Sequence, residues 1–177
     1  MDTHYQPHSD ECYSNSILTV PLIIDNLKRL NETPGFVYYS GIVIDYTFSF
    51  TNGCAIDEVS AFEKSIGYNL PDDYKEFLHF TDGLRLSVLA VSQLLDISSM
   101  IECRNVYHFV PKNILFFGEL YDGDIYAAIK LDEKPDRCIC IYQILSEEPI
   151  KELHCSFTDF LDRFITTYGQ NFWDWCS

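Results

Sequence analysis

The sequence predicts an α+β fold: a single domain with an antiparallel sheet of about five or six strands and helices packed against it. Short runs of alternating apolar and polar residues, separated by tight turns, predict the strands. Runs with a helical period, several of them bounded by proline or glycine, predict the helices. The chain has 177 residues, a typical length for one domain, so we treat residues 1–177 as one unit.

The composition combines a large apolar fraction with a strong negative charge. Hydrophobic residues make up 47% of the chain and aromatic residues 15%, which excludes the disordered class. Lysine and arginine number 12 against 27 acidic residues, for a net charge of −15. This charge repels nucleic acid, so we expect no direct nucleic-acid binding, and it attracts basic proteins. The alternative that acidity serves solubility alone stays open.

The sequence also bears on membranes and export. No apolar run approaches the ~20 residues of a membrane span. Residues 1–5 are acidic where a secretion signal is basic, so we expect a cytoplasmic protein without membrane contact. Residues 1–16 are polar and aperiodic, and we expect a loosely ordered lead-in there.

The first half of the chain contains the clearest elements. Apolar residues at a helical period predict a helix over 20–30. Strict alternation predicts a strand over 42–50, with 36–39 as its hairpin partner. Two further helices in tandem are predicted over 56–66 and 71–81.

The second half predicts mainly strands. Residues 84–113 are harder to assign: the pattern allows a strand over 86–91 and a short helix over 91–101, and it does not decide the assignment. An antiparallel meander and a closing helix come after this segment. The remaining predictions are a strand over 106–110 that carries His108, strands over 114–120, 125–131 and 138–144, and a helix beginning at Ser156.

The two tandem helices carry a specific motif. The first ends in Glu63-Lys64-Ser65-Ile66-Gly67, and the second opens with Leu70-Pro71-Asp72-Asp73-Tyr74-Lys75-Glu76-Phe77-Leu78, with Gly83 beyond it. This pattern resembles the signature of the SUKH superfamily, which includes yeast cell-wall-assembly regulators and bacterial immunity proteins of polymorphic toxin systems. The resemblance covers about residues 54–168. Leu84 departs from it, because the family usually has a small residue there.

The motif residues are expected to maintain the fold and do not mark an active site. Tyr74, Phe77 and Leu78 have the spacing of a buried helix face. Gly67 and Gly83 are expected in backbone conformations that other residues adopt only with strain.

Acidic residues in predicted loops form the candidate partner-binding site. Glu119, Tyr121, Asp122 and Asp124 cluster at the central hairpin turn, and Asp82 follows the second motif helix. A tyrosine among carboxylates suits contact with a basic protein. Because aspartate and glycine also form turns without any partner, a purely structural explanation stays open.

Catalytic and metal-binding patterns are weak in this sequence. It has no P-loop, GxGxxG, GxSxG or HExxH motif, so we expect neither an enzyme nor a cofactor. Cys138, Cys140, His154 and Cys155 lack the paired spacing of zinc sites, and we expect no metal and a core role for the cysteines. Cys138 and Cys140 are expected on the same face of a strand. The aromatic tail around Trp173 is either a contact patch or core.

The resemblance and the charge together lead to one function and one alternative. The resemblance implies an immunity protein that binds and neutralises a cognate toxin, with a nuclease as the expected class. The acidic surface would then occupy the basic groove that the toxin uses for nucleic acid. The alternative is a cytosolic regulatory or scaffold module that binds another protein without a toxin partner. The sequence leaves monomer and homodimer undecided.

Overall fold

The computed structural model describes residues 18–32, 35–39, 42–87, 91–120, 123–143, 149–169 and 172–175. Its helices and antiparallel strands confirm the predicted α+β fold class. The helices are α1 (Val20–Leu30), α2 (Ile56–Ile66), α3 (Asp72–Phe80), α4 (Ile97–Val106) and α5 (Phe157–Thr166), followed by a 3-10 turn over Phe172–Trp175. The strands are β1 (Gly35–Tyr39), β2 (Ile42–Phe50), β3 (Leu84–Ser87), β4 (Val91–Leu94), β5 (Ile114–Leu120), β6 (Ile125–Lys130), β7 (Ile139–Gln143) and β8 (Lys151–Glu152).

The sheet of the described residues has eight strands, so the predicted count of five or six was too low. The strands lie in chain order from β1 to β8, and each is antiparallel to its neighbours. The strands missed at the sequence level are short: β4 has four residues and β8 has two. Alternation over so few residues is too brief to be distinguished from a loop.

The undecided segment over 84–113 folds into β3, β4 and α4. The Asp96 carboxylate caps α4 by accepting from the backbone N–H of Ser99 at 2.7 Å. Because α4 continues to Val106 and a turn follows it, the predicted strand over 106–110 is wrong. His108 lies exposed on that turn.

The helices predicted over 20–30, 56–66 and 71–81 and from Ser156 are confirmed, and the signals at Gly67 and Ser156 mark their boundaries as expected. Gly67 ends α2 in the left-handed conformation, with φ of 76°. A capping box begins α5, in which the Ser156 hydroxyl accepts from the Asp159 N–H at 3.1 Å. The start of α3 is joined to the start of α5 by Asp73, whose carboxylate accepts from the Thr158 N–H at 2.9 Å and from its hydroxyl at 3.1 Å.

The main core lies between one face of the sheet, here called the inner face, and helices α1, α3 and α5. The motif residues Tyr74, Phe77 and Leu78 are fully buried in it, as predicted. Gly83 differs from the prediction, because its φ is not in the left-handed region. Close packing favours glycine there, because a side-chain carbon would lie 3.2 Å from the Leu94 carbonyl oxygen.

The C-terminal aromatic residues fold back onto this core. Phe172 and Trp173 are both buried, and the Phe172 ring centroid lies 5.5 Å from that of Phe160. Of the two explanations for the tail, core packing therefore applies to these two residues. The Trp175 side chain and the predicted lead-in over 1–16 lie outside the described residues.

Candidate functional site

A row of cross-strand partners runs across the outer face of the sheet, opposite the helices α1, α3 and α5. The register pairs Ser49 with Arg85, Arg85 with Gln93 and Gln93 with Glu119. Glu119 is in turn paired with Tyr126. Directly opposite residues in an antiparallel ladder share a face, so these five side chains form one line from β2 to β6.

This row has an open polar part and a covered aromatic part. Ser49 and Arg85 are exposed, and Gln93 and Glu119 are half-buried. Tyr126 is buried, because the turn that follows α4 packs over it. We call the first four residues, Ser49, Arg85, Gln93 and Glu119, the open row.

A hollow of about 220 Å³ adjoins the open row. Its lining includes Ser49, Arg85 and Gln93 from the row, and Asp96 and Ser99 from the start of α4. Pockets for drug-sized ligands begin at about 300 Å³ and are mostly apolar. This hollow is smaller than such pockets, and Phe50, Leu84 and Leu94 also line it.

Glu119, near the end of β5, and Asp124, in the turn before β6, both belong to the central hairpin, which is formed by β5, β6 and the turn between them. The Gln93 amide nitrogen donates to the Glu119 carboxylate at 2.7 Å. A side-chain carbon at Gly123 would lie 2.8 Å from that same carboxylate, so the Glu119 carboxylate lies against the turn. Asp124 is exposed in the turn. Two of the predicted site residues thus lie on this one hairpin.

The other predicted site residues have different positions. Asp82 is half-buried and accepts from the Ile97 N–H at 3.0 Å, which adds a second cap to α4. Burial, followed by a hydrogen bond and the charge of Asp82, raises the pKa of the Cys54 thiol to about 12. Asp82 thus has partners within the fold. Tyr121 and Asp122 lie outside the described residues.

The Glu119 charge also acts on the covered part of the outer face. Burial first, and then the Glu119 charge, raise the pKa of the Cys103 thiol to about 11. Burial and a 3.3 Å hydrogen bond between the Tyr107 and Tyr126 hydroxyls raise the pKa of Tyr126 well above its usual value. Both groups are protonated at neutral pH. The negative charge that acts on both Cys103 and Tyr126 is therefore that of the Glu119 carboxylate.

Two of the cysteines considered as zinc ligands, Cys138 and Cys140, lie on opposite faces of the sheet, and Cys155 lies in the inner core with Cys138. Cys138 packs in the inner core and donates to the Pro135 carbonyl at 3.3 Å. Cys140 packs on the outer face and donates to the Ala128 carbonyl at 3.7 Å. The prediction that they share a face is wrong, because Cys138 precedes the first residue of β7. Within the described ranges, no group of three or more His, Cys, Asp or Glu residues could hold a metal ion.

Two residues of the open row were missed by the sequence reasoning. Arg85 and Gln93 face outward from four-residue strands whose alternation is too short to identify a face. Their place in the row follows from strand register, a long-range property that local patterns do not contain. The acidic hairpin turn could be predicted because aspartate and glycine between two apolar runs are typical of a hairpin turn.

The comparisons with known proteins decide the family. Residues 53–163, more than half of the chain, match the SMI1 / KNR4 family (SUKH-1). The chain belongs to this family. The match extends from just before α2 into α5, so α1 and the β1–β2 hairpin of this SUKH-1 protein precede the matched region.

Two Bacillus subtilis (strain 168) proteins are similar to the chain over most of its length. YnaB is 26% identical over 132 residues, which cover 73% of this chain and 89% of YnaB. YobM is 22% identical over 170 residues, which cover 86% of this chain and 89% of YobM. The names of these relatives state no activity.

The length and polarity of the helices determine whether one of them could cross a membrane. In the part of the chain that the structure describes, every helix is too short or too polar to cross a membrane.

Proposed function

We propose that this chain is an immunity protein that binds a cognate toxin and neutralises it through the acidic end of its outer face. The observations that carry the proposal are the exposed Asp124 at the central hairpin turn and the Glu119 carboxylate, which lies against the preceding residue, Gly123. Tyr121 and Asp122 belong to the same turn in the sequence, and we include them with Asp82 in the proposed contact surface. Membership of a family that includes immunity proteins supports the proposal.

Charge supplies the physical basis for neutralisation. The chain has a net charge of −15, and a nuclease needs a basic groove to bind nucleic acid. An acidic protein seated in that groove excludes the substrate by charge and by shape. A nuclease domain is therefore the class of toxin that we propose as partner.

The central hairpin presents its carboxylates from a rigid base. The strands β5 and β6 are each paired on both sides, with β4 and β7 as their outer neighbours. The hydrogen bond from Gln93 already holds the Glu119 side chain in place. Binding therefore needs little additional ordering of this carboxylate, which favours affinity.

A titration of toxin activity tests the proposal. The toxin would be the product of the neighbouring gene, assayed for nuclease activity while this chain is added in increasing amounts. We expect complete inhibition at one-to-one stoichiometry. Asp124→Lys should raise the concentration required for inhibition at least about tenfold, because a like charge then faces the basic groove.

Glu76→Lys is the matched control. Glu76 is exposed on α3, on the helical side of the sheet, and the substitution changes the net charge by the same amount. Equal weakening by both variants would show that total charge acts without a defined contact at the hairpin. Failure of the wild-type chain to bind or inhibit the toxin would contradict the proposal and favour the regulatory or scaffold module.

A further inference from the structure

Arg85 places an exposed positive charge on the outer face of the sheet. In the strands β1 to β5, as the structure describes them, it is the only lysine or arginine. Among the described residues, its side chain forms no ion pair and no hydrogen bond. Acidic residues outnumber basic ones by 27 to 12 in this chain, yet none of those described neutralises this guanidinium.

The carboxylates on this side of the sheet have other positions or other partners. Asp96 lines the same hollow as Arg85, but it accepts from the Ser99 N–H at 2.7 Å and so caps α4. The start of a helix carries the positive end of its dipole, which stabilises the Asp96 carboxylate there. Asp45 lies on the same face of β2 as Ser49, but it is four residues away along the strand, which is about 13 Å. The Arg85 charge is therefore available to a partner protein.

Arg85 and Glu119 lie in the open row two strands apart. The register pairs Arg85 with Gln93 and Gln93 with Glu119. Neighbouring strands are about 4.8 Å apart, so the backbones at Arg85 and Glu119 are separated by about 10 Å. The Debye length at physiological salt is about 8 Å, so a charge on a partner is influenced mainly by the row residue that it contacts. The open row thus presents one positive and one negative site within an acidic molecule.

We propose that Arg85 determines which toxin is bound, by pairing with a carboxylate on the toxin about 10 Å from the basic group that contacts Glu119. Arg85 reaches the toxin only if the toxin covers the outer face beside the central hairpin, so this inference rests on the proposed function. A guanidinium binds a carboxylate through two parallel hydrogen bonds, which add directional specificity to the charge. A toxin with a basic residue at this place instead is repelled by Arg85.

Arg85→Glu separates this contact from the effect of total charge. The substitution replaces a positive charge with a negative one, so the whole chain becomes more acidic. If total charge alone governed binding, a basic toxin would bind this variant more tightly than the wild type. The proposed contact predicts the opposite, because two carboxylates then face one another, and Kd should rise at least about tenfold. Arg85→Gln removes the positive charge without adding a negative one, and it should raise Kd less.

Arg29→Glu is the matched control. Arg29 is exposed on α1, on the helical side of the sheet, and the substitution changes the net charge by the same amount. It should leave Kd unchanged or lower it. Calorimetry of each full-length variant against the product of the neighbouring gene, at about 0.15 M NaCl, measures Kd. Circular dichroism confirms that each variant is folded.

The outcomes separate this inference from the proposed function. If the wild type binds the toxin and Arg85→Glu binds it as tightly or more tightly, the role of Arg85 is overturned and the proposed function is retained. Equal weakening by Arg29→Glu also overturns the role of Arg85, because the effect then has no defined place on the outer face. A wild-type chain that does not bind the toxin overturns both.

Discussion

Thiol ionisation is the feature at the scale of single residues that the structure defines most clearly. Cys54, Cys103 and Cys138 have pKa values raised to about 12, about 11 and about 11, with burial as the main cause in each case. A thiol with such a pKa is protonated at neutral pH and reacts slowly as a nucleophile. These cysteines therefore act as small apolar side chains, a role that the sequence analysis predicted for Cys138.

The raised thiol pKa values predict a loss of stability in alkali. The Cys103 thiol has an ordinary pKa of 9.0 in the unfolded chain and of about 11 in the folded one. Between these pH values the unfolded state holds fewer protons, so the free energy of unfolding falls as pH rises. The stabilisation is complete below about pH 9 and is lost as pH rises through about 11.

Urea unfolding at about pH 8 and about pH 10.5 measures this loss. Cys103→Ser removes one titrating group and should reduce the fall in the unfolding free energy between the two conditions. Equal falls in the variant and the wild type would show that Cys103 titrates normally in the folded chain.

Asp82 illustrates why the function of single acidic residues could be predicted only in part. Its position after a motif helix identified it as a candidate, but the sequence does not show that its carboxylate accepts from Ile97, fifteen residues further on. Glu119 has the same ambiguity, because its partner Gln93 lies on another strand. Local sequence identifies an acidic side chain, whereas the fold determines which partner it has.

At the scale of elements, the sequence predicted those that combine a long period with clear boundaries. The strand β2 over 42–50 and the helices α2 and α5 match their predictions closely, because nine to eleven residues of regular pattern are available. The strands β3 and β4 were left undecided, since a strand of four residues places only two side chains on each face. Tertiary pairing stabilises these short strands, and local propensity does not.

The junction between α3 and α5 supports a prediction at this scale. The Asp73 carboxylate accepts two hydrogen bonds from Thr158 across 85 residues of sequence. Hydrogen bonds to a charged acceptor contribute about 1.5–3 kcal/mol, so Asp73→Ala should lower the free energy of unfolding by about 2 kcal/mol. Urea denaturation of both proteins measures the difference.

Asp72→Ala is the control for this junction. Asp72 is the neighbouring aspartate in the same first turn, but its side chain is 98% exposed and contacts Lys75 in a surface ion pair. Such pairs contribute little, so this variant should unfold nearly like the wild type. If both variants lost the same stability, the helix dipole would explain the effect better than the link to α5.

At the scale of the whole molecule, the two faces of the sheet differ in what covers them. The inner face is buried under three helices, and the outer face retains the open row and the acidic central hairpin. The sequence predicted the hairpin turn and the net charge, because both are local or additive properties. It did not predict the open row, because that row depends on the register of four strands.

The central claim is that an acidic surface at the central hairpin binds a basic toxin, and calorimetry across a salt series tests it most directly. The chain would be titrated against the product of the neighbouring gene at several salt concentrations, with Asp122→Lys and Asp124→Lys as variants. We predict tight one-to-one binding that weakens as salt rises and that both substitutions weaken further. Absence of binding, or tight binding that neither salt nor the substitutions change, would contradict this account.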